Sequence, residues 1–96
     1  METPVLRHDL NSSYGLDLPE TTSIEALEAI LAERVNTLII DDFNRLVQLL
    51  YRVDVNEEKL KNLLRENTAT NAGLLIARLI LERQWQKIET RRKFSR

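Results

Sequence analysis

Apolar positions in this chain recur with the period of an α-helix. From Ile24 onward, Ile24, Leu27, Leu31, Val35 and Leu38 follow one another at three- and four-residue steps, and Ile30 widens the stripe. That spacing places them on one helix face. The preceding Thr22-Ser23-Ile24-Glu25 reads as a capping box, Thr22 accepting from an early helical amide while Glu25 reaches back to the cap. A first helix is predicted from Ile24 to about Ile40. Asp41-Asp42 then offers a kink or a new N-cap, after which Phe43, Leu46, Val47 and Leu50 form a second stripe reaching Tyr51. The stretch Arg52 to Asn56 breaks the pattern with β-branched residues and capping side chains. Asn56 is the expected cap of a short third helix, with Leu60, Leu63 and Leu64 inward and Lys59, Lys61 and Arg65 outward. It should stop near Asn67, with a turn over Thr68 to Asn71.

The last helix, from about Ala72 to Lys93, differs from the others. Leu74, Ala77, Leu81, Trp85 and Ile88 form one narrow stripe, while Leu75, Ile76, Leu79 and Ile80 lie across from it, separated by Arg78 and Glu82. A segment that is apolar on two sides must be covered on both. Either it runs through the centre of the domain, or a second copy of the chain covers one side.

Residues 1–21 are polar and interrupted by Pro4, Gly15 and Pro19, without sustained helical or strand periodicity. They are expected to form a flexible arm. The reading is an all-α fold: a small bundle of about four helices over residues 22–96, with the long C-terminal helix as its spine. The chain has 96 residues, the size of one domain with one core.

Composition narrows the chemistry. There is no cysteine, which removes disulfides, thiolate nucleophiles and Cys-based metal sites and suits a reducing cytoplasm. No apolar run approaches the roughly 20 residues of a membrane span, and no export signal is read at the start. The formal net charge of −1 hides an asymmetry. Up to Asp42, nine acids face only Arg7 and Arg34, whereas Arg83, Lys87, Arg91, Arg92, Lys93 and Arg96 outnumber Glu82 and Glu89 at the end. Acids near the first helix start and bases near the last helix end suit the helix macrodipole. The sharper alternative is a basic patch of Arg83, Lys87, Arg91, Arg92 and Lys93 for nucleic acid, with Trp85 or Phe94 for stacking.

Other motifs fail on spacing. Only Gly15 and Gly73 are present, too few for a phosphate-cradling glycine loop or a dinucleotide fingerprint. His8 is the single histidine and lies in the expected arm, without the neighbours a catalytic triad needs. Asp9 to Glu20 places oxygen side chains at several positions of a calcium-binding loop, but Tyr14 stands where the sharp turn requires glycine and Pro19 disrupts the exit. The pairs Asp41-Asp42 and Glu57-Glu58 sit on adjacent helical positions about 100° apart, so neither converges on one atom. Tyr51, Arg52 and Asp54 form a possible polar cluster at the turn. As a DNA-reading helix-turn-helix, the segment would present Asn56, Glu57 and Glu58 to phosphates, which repels rather than binds. No nucleophile, base and orienting group come together, so no enzyme is expected, and no cofactor is implied.

The segments Leu46 to Val55, Glu58-Lys59-Leu60-Lys61 and Ile76 to Gln84 resemble those of short, uncharacterised bacterial all-helical proteins. The resemblance covers most of the chain after the arm. It implies a bacterial, cytoplasmic, stand-alone domain and carries no activity. Together these readings lead to the expectation of a helical interaction or scaffold module, acting as a homodimer through Leu75, Ile76, Leu79 and Ile80. The alternative is a nucleic-acid accessory protein using the basic C-terminal helix.

Overall fold

The four bundle helices are each present, and a fifth precedes them. In order they are α1 (Thr3–Tyr14), α2 (Ile24–Asp41), α3 (Phe43–Val53), α4 (Glu57–Glu66) and α5 (Ala72–Phe94). The computed structural model describes residues 1–66 and 71–94, and no strand occurs among them. Of the turn expected over Thr68 to Asn71, and of the stop near Asn67, residues 67–70 lie outside the described residues. The Cα radius of gyration is 13.2 Å, matching the roughly 13 Å of a compact chain of this size.

α1 corrects the expected arm. Pro4 falls in the first turn, where its missing amide costs nothing, and Gly15 takes the left-handed conformation (φ 64°) that caps the helix, its amide donating to the Asn11 carbonyl at 2.9 Å. The residues that looked like breakers are the start and stop of a helix. Leu6, Leu10 and Tyr14 recur at four-residue steps, and Leu6 and Leu10 are fully buried. The following loop is clasped by Asn11, whose carboxamide accepts from the Leu18 amide at 2.7 Å and donates to its carbonyl at 3.0 Å. Leu18 is thereby folded into the core.

The other boundaries follow their caps. Ser23, not Thr22, caps α2, its hydroxyl accepting from the Ala26 amide at 3.1 Å. Asp42 ends α2 and starts α3: its amide donates to the Leu38 carbonyl, and its carboxylate accepts from the Arg45 amide at 3.2 Å. Asn56 accepts from the Lys59 amide at 2.9 Å, as expected for the cap of α4. Asn71 caps α5, and its side-chain oxygen also accepts from Asn36 at 3.0 Å, tying that cap to α2.

α5 is the spine, with α2 along it as the main packed pair and α1, α3 and α4 on the remaining sides. Its two apolar sides are both covered by the same chain. Ile76, Ala77, Ile80, Leu81 and Ile88 enter one core with Leu6, Leu10, Leu27, Leu31, Val35, Leu46 and Val53. Leu75 and Leu79 are buried as well, and Leu79 borders a small cavity with Val55, Asn56 and Lys59 at the start of α4. Leu75, Ile76, Leu79 and Ile80 are thus buried within one chain, with α2 the main partner of α5 and the start of α4 beside Leu79.

Candidate functional site

Two surfaces stand out once the core is accounted for. The first is an open cleft of about 460 Å³ between the end of α1 and the C-terminal half of α5, lined by Ser13, Tyr14, Arg83, Gln84, Lys87, Thr90 and Arg91. Arg83, Lys87 and Arg91 follow at four-residue steps, so one face of α5 presents three cations to it. Gln84 forms the floor. It is only 3 % exposed, yet its carboxamide is used at both ends: Oε1 accepts from the Tyr14 hydroxyl at 2.6 Å, and Nε2 donates to the Asp9 carboxylate. A buried amide without partners is costly, so this pairing pins α1 to α5.

The cations of the cleft differ in their counter-charges. Arg91 donates to Asp9 at 2.8 Å, and Arg83 meets Asp54 twice, at its carbonyl (3.1 Å) and its carboxylate (3.2 Å). Asp54 offers both because it ends α3 in the left-handed region, φ 66°. Lys87, by contrast, donates to neutral oxygens only, the Tyr14 hydroxyl at 3.3 Å and the Arg52 carbonyl at 3.2 Å. The Arg52 guanidinium in turn donates to the Ser13 carbonyl and lies 5.3 Å from the Tyr14 ring centre, with Lys87 Nζ 6.0 Å from the same centre. Among the described residues neither Arg52 nor Lys87 has a carboxylate partner.

The basic patch expected from the sequence is thus divided. Arg83, Lys87 and Arg91 share the cleft, Arg92 turns away to Glu2 and lies 5.5 Å from the Trp85 ring centre, and Lys93 stands by Phe94. The Glu2 carboxyl is held below its ordinary range by the Arg92 hydrogen bond, and Arg92 is raised correspondingly. Of the cluster Tyr51, Arg52 and Asp54, the latter two are drawn toward α1 and α5 while Tyr51 faces outward. Asp9, Asn11 and Asp17 of the calcium-like pattern are separated by α1, with Asp9 committed to α5 and Asn11 to Leu18. No group of three metal-ligating side chains converges among the described residues.

The second surface is the outer face of α3. Its inward side is Leu46, Leu49 and Val53, whereas Phe43, Val47 and Tyr51, at four-residue steps, are 58 %, 46 % and 86 % exposed, and Ile40 at the end of α2 is 82 % exposed. The two cations of α3, Arg45 and Arg52, lie on its flank beside Leu16, Leu38 and Gln48. The exposed stripe itself carries Asn44 and Gln48 between its apolar residues and no charge.

Comparison with protein-family models finds no match, and comparisons with curated proteins and with solved structures find none either. Function has to be argued from these two surfaces. Among the described residues no helix is long and apolar enough to cross a membrane.

Proposed function

We propose that the chain is a small, non-enzymatic, cytoplasmic interaction module that works as a homodimer joined through the outer face of α3. The supporting observation is the uncharged stripe of Phe43, Val47 and Tyr51, with the exposed Ile40 beyond Asp41 and Asp42. With aromatic side chains worth roughly 150–250 Å² each, the exposed parts of Phe43 and Tyr51 give on the order of 200–350 Å², to which Val47 and Ile40 add. Such a patch is of the size of about 300–600 Å² that is often functional on a monomer.

A second copy suits this face better than a charged partner does, because the stripe has no charge to repel its own image or to attract an opposite one. In a two-fold contact about Val47, antiparallel α3 helices bring Phe43 of one copy to Tyr51 of the other, an aromatic pair at each end. The absence of cysteine and the bacterial resemblance support the cytoplasmic setting.

Sedimentation equilibrium tests the reading. The wild type is expected at twice the 11.2 kDa chain mass, and the Val47→Glu/Tyr51→Glu double variant at the chain mass with unchanged helical circular dichroism. A wild type that stays monomeric up to its solubility limit, or a double variant that still dimerises, overturns it.

A further inference from the structure

We propose that the cleft between α1 and α5 is a binding site for a small, multiply charged phosphate anion of the size of inorganic pyrophosphate. The argument is independent of the dimer. At about 460 Å³ the cleft is within the range of roughly 300–1,000 Å³ typical of small-molecule sites.

Its charge is unbalanced in one place. Arg83 and Arg91 are each met by a carboxylate, Asp54 and Asp9. Lys87 lines the cleft with only neutral acceptors, the Tyr14 hydroxyl and the Arg52 carbonyl, while the Arg52 guanidinium reaches the Tyr14 ring from the neighbouring cavity beside α3. The ammonium of Lys87 therefore has no counter-charge, and a bound anion supplies one. The remaining wall is suited to an oxyanion: Ser13 and Thr90 bring hydroxyl groups, and the guanidinium groups of Arg83 and Arg91 keep N–H donors beyond those given to Asp54 and Asp9. Gln84 is already saturated by Tyr14 and Asp9. It sets the floor and leaves the anion to the cations.

The small size of the ligand follows from the layout. A nucleic-acid backbone needs a track of free cations, whereas on α5 Arg92 is engaged with Glu2 and Arg78 with Glu28, and Lys93 stands apart beside Phe94. A dianionic phosphate group meets a point of charge with the least desolvation of the rest of the surface.

The test is a titration of the full-length, isotope-labelled protein with inorganic pyrophosphate at constant ionic strength, with sodium chloride as the control, following the Gln84 side-chain amide by NMR. Saturable shifts of Gln84 and of the Lys87 and Arg91 backbone amides are expected with pyrophosphate and not with chloride. Lys87→Gln should weaken binding at least about tenfold, roughly the loss of one charge-assisted hydrogen bond. Lys87→Arg should retain binding, and Arg78→Gln, on another face of α5, should leave it unchanged. Absence of a saturable response in the wild type overturns the proposal whatever the variants do. So does a folded Lys87→Gln protein that binds as well as the wild type, or a response to generic DNA exceeding that to pyrophosphate.

Discussion

Gly73 lies where the first turn of α5 crosses α2, and its lack of a side chain sets how near the two helices come. A methyl group there would fall 2.7 Å from the Ala32 carbonyl oxygen and against the Asn36 carboxamide. The Asn36 side chain is also engaged with the Asn71 cap, so it has little freedom to retreat. Gly73→Ala gains about 1 kcal/mol of helix propensity but meets overpacking of about 1–3 kcal/mol against backbone. The expected outcome is net destabilisation, read as a lower urea midpoint at unchanged slope; a higher midpoint would show that the crossing can relax. Gln84 is the other decisive single residue. In the sequence it is one polar position on a crowded helix, and nothing in its spacing tells that both ends of its amide are used. Its partners, Asp9 and Tyr14, are 75 and 70 positions away.

At the scale of elements, α1 owes its place to packing. Alone, a twelve-residue helix with several β-branched and polar residues is too short to hold together in water. Leu6 and Leu10 hold it by entering the core beside α5. Leu10→Ala is expected to cost about 2–5 kcal/mol by deleting a buried side chain, measured by chemical denaturation. A change within experimental error would mean that α1 is detachable. The signals for α1 were in the sequence, as Pro4 at a helix start, Gly15 at its end and Leu6, Leu10 and Tyr14 on one stripe. Proline and glycine are ambiguous locally, because the same residues that break a helix also bound one.

α3 shows the converse. Its existence, a kink or cap at Asp41-Asp42 and a break after Tyr51, two residues short of its end at Val53, were legible, but not its rotation. Phe43, Leu46, Val47 and Leu50 formed the sequence stripe, whereas the buried set is Leu46, Leu49 and Val53. Apolar residues occupy most of the helix surface, so periodicity alone cannot choose which side meets the core. Burial of Leu46, Leu49 and Val53 leaves Phe43, Val47 and Tyr51 facing outward, and Arg52 and Asp54 are tied to Ser13 and Arg83.

For the molecule as a whole, the charge asymmetry of the chain is folded back on itself. The acidic first part and the basic last part meet as Glu2–Arg92, Asp9–Arg91 and Glu28–Arg78. Each pair is at least partly exposed and individually weak, but together they join α1 and α2 to α5. Glu2 gives a pH signature. Its carboxyl is lowered from 4.5, first by the Arg92 hydrogen bond, so the unfolded state takes up a proton more readily than the folded one. The stabilisation is complete above the unfolded value and is lost as pH falls through the folded value. Glu2→Gln should therefore flatten the acid limb of the melting temperature against pH, and added salt should shrink the difference between the two proteins. Identical acid limbs at low salt would remove Glu2 from the account.

The sequence by itself determined the all-α class, the bounds of α2, α3 and α5 and the start of α4 within a residue or two, a kink or cap at Asp41-Asp42, the cap at Asn56, and the requirement that both sides of α5 be shielded. These rest on local periodicity and on capping chemistry that acts within one helical turn. Only tertiary structure decided that one chain, chiefly α2 with α1, α3 and α4 around it, provides the shield, that the outer face of α3 is left bare, and that Arg83, Lys87 and Arg91 share a cleft with Tyr14 and Gln84. Each of those depends on which distant segment fills a given volume, and that is fixed by packing of the whole chain rather than by the spacing of neighbours.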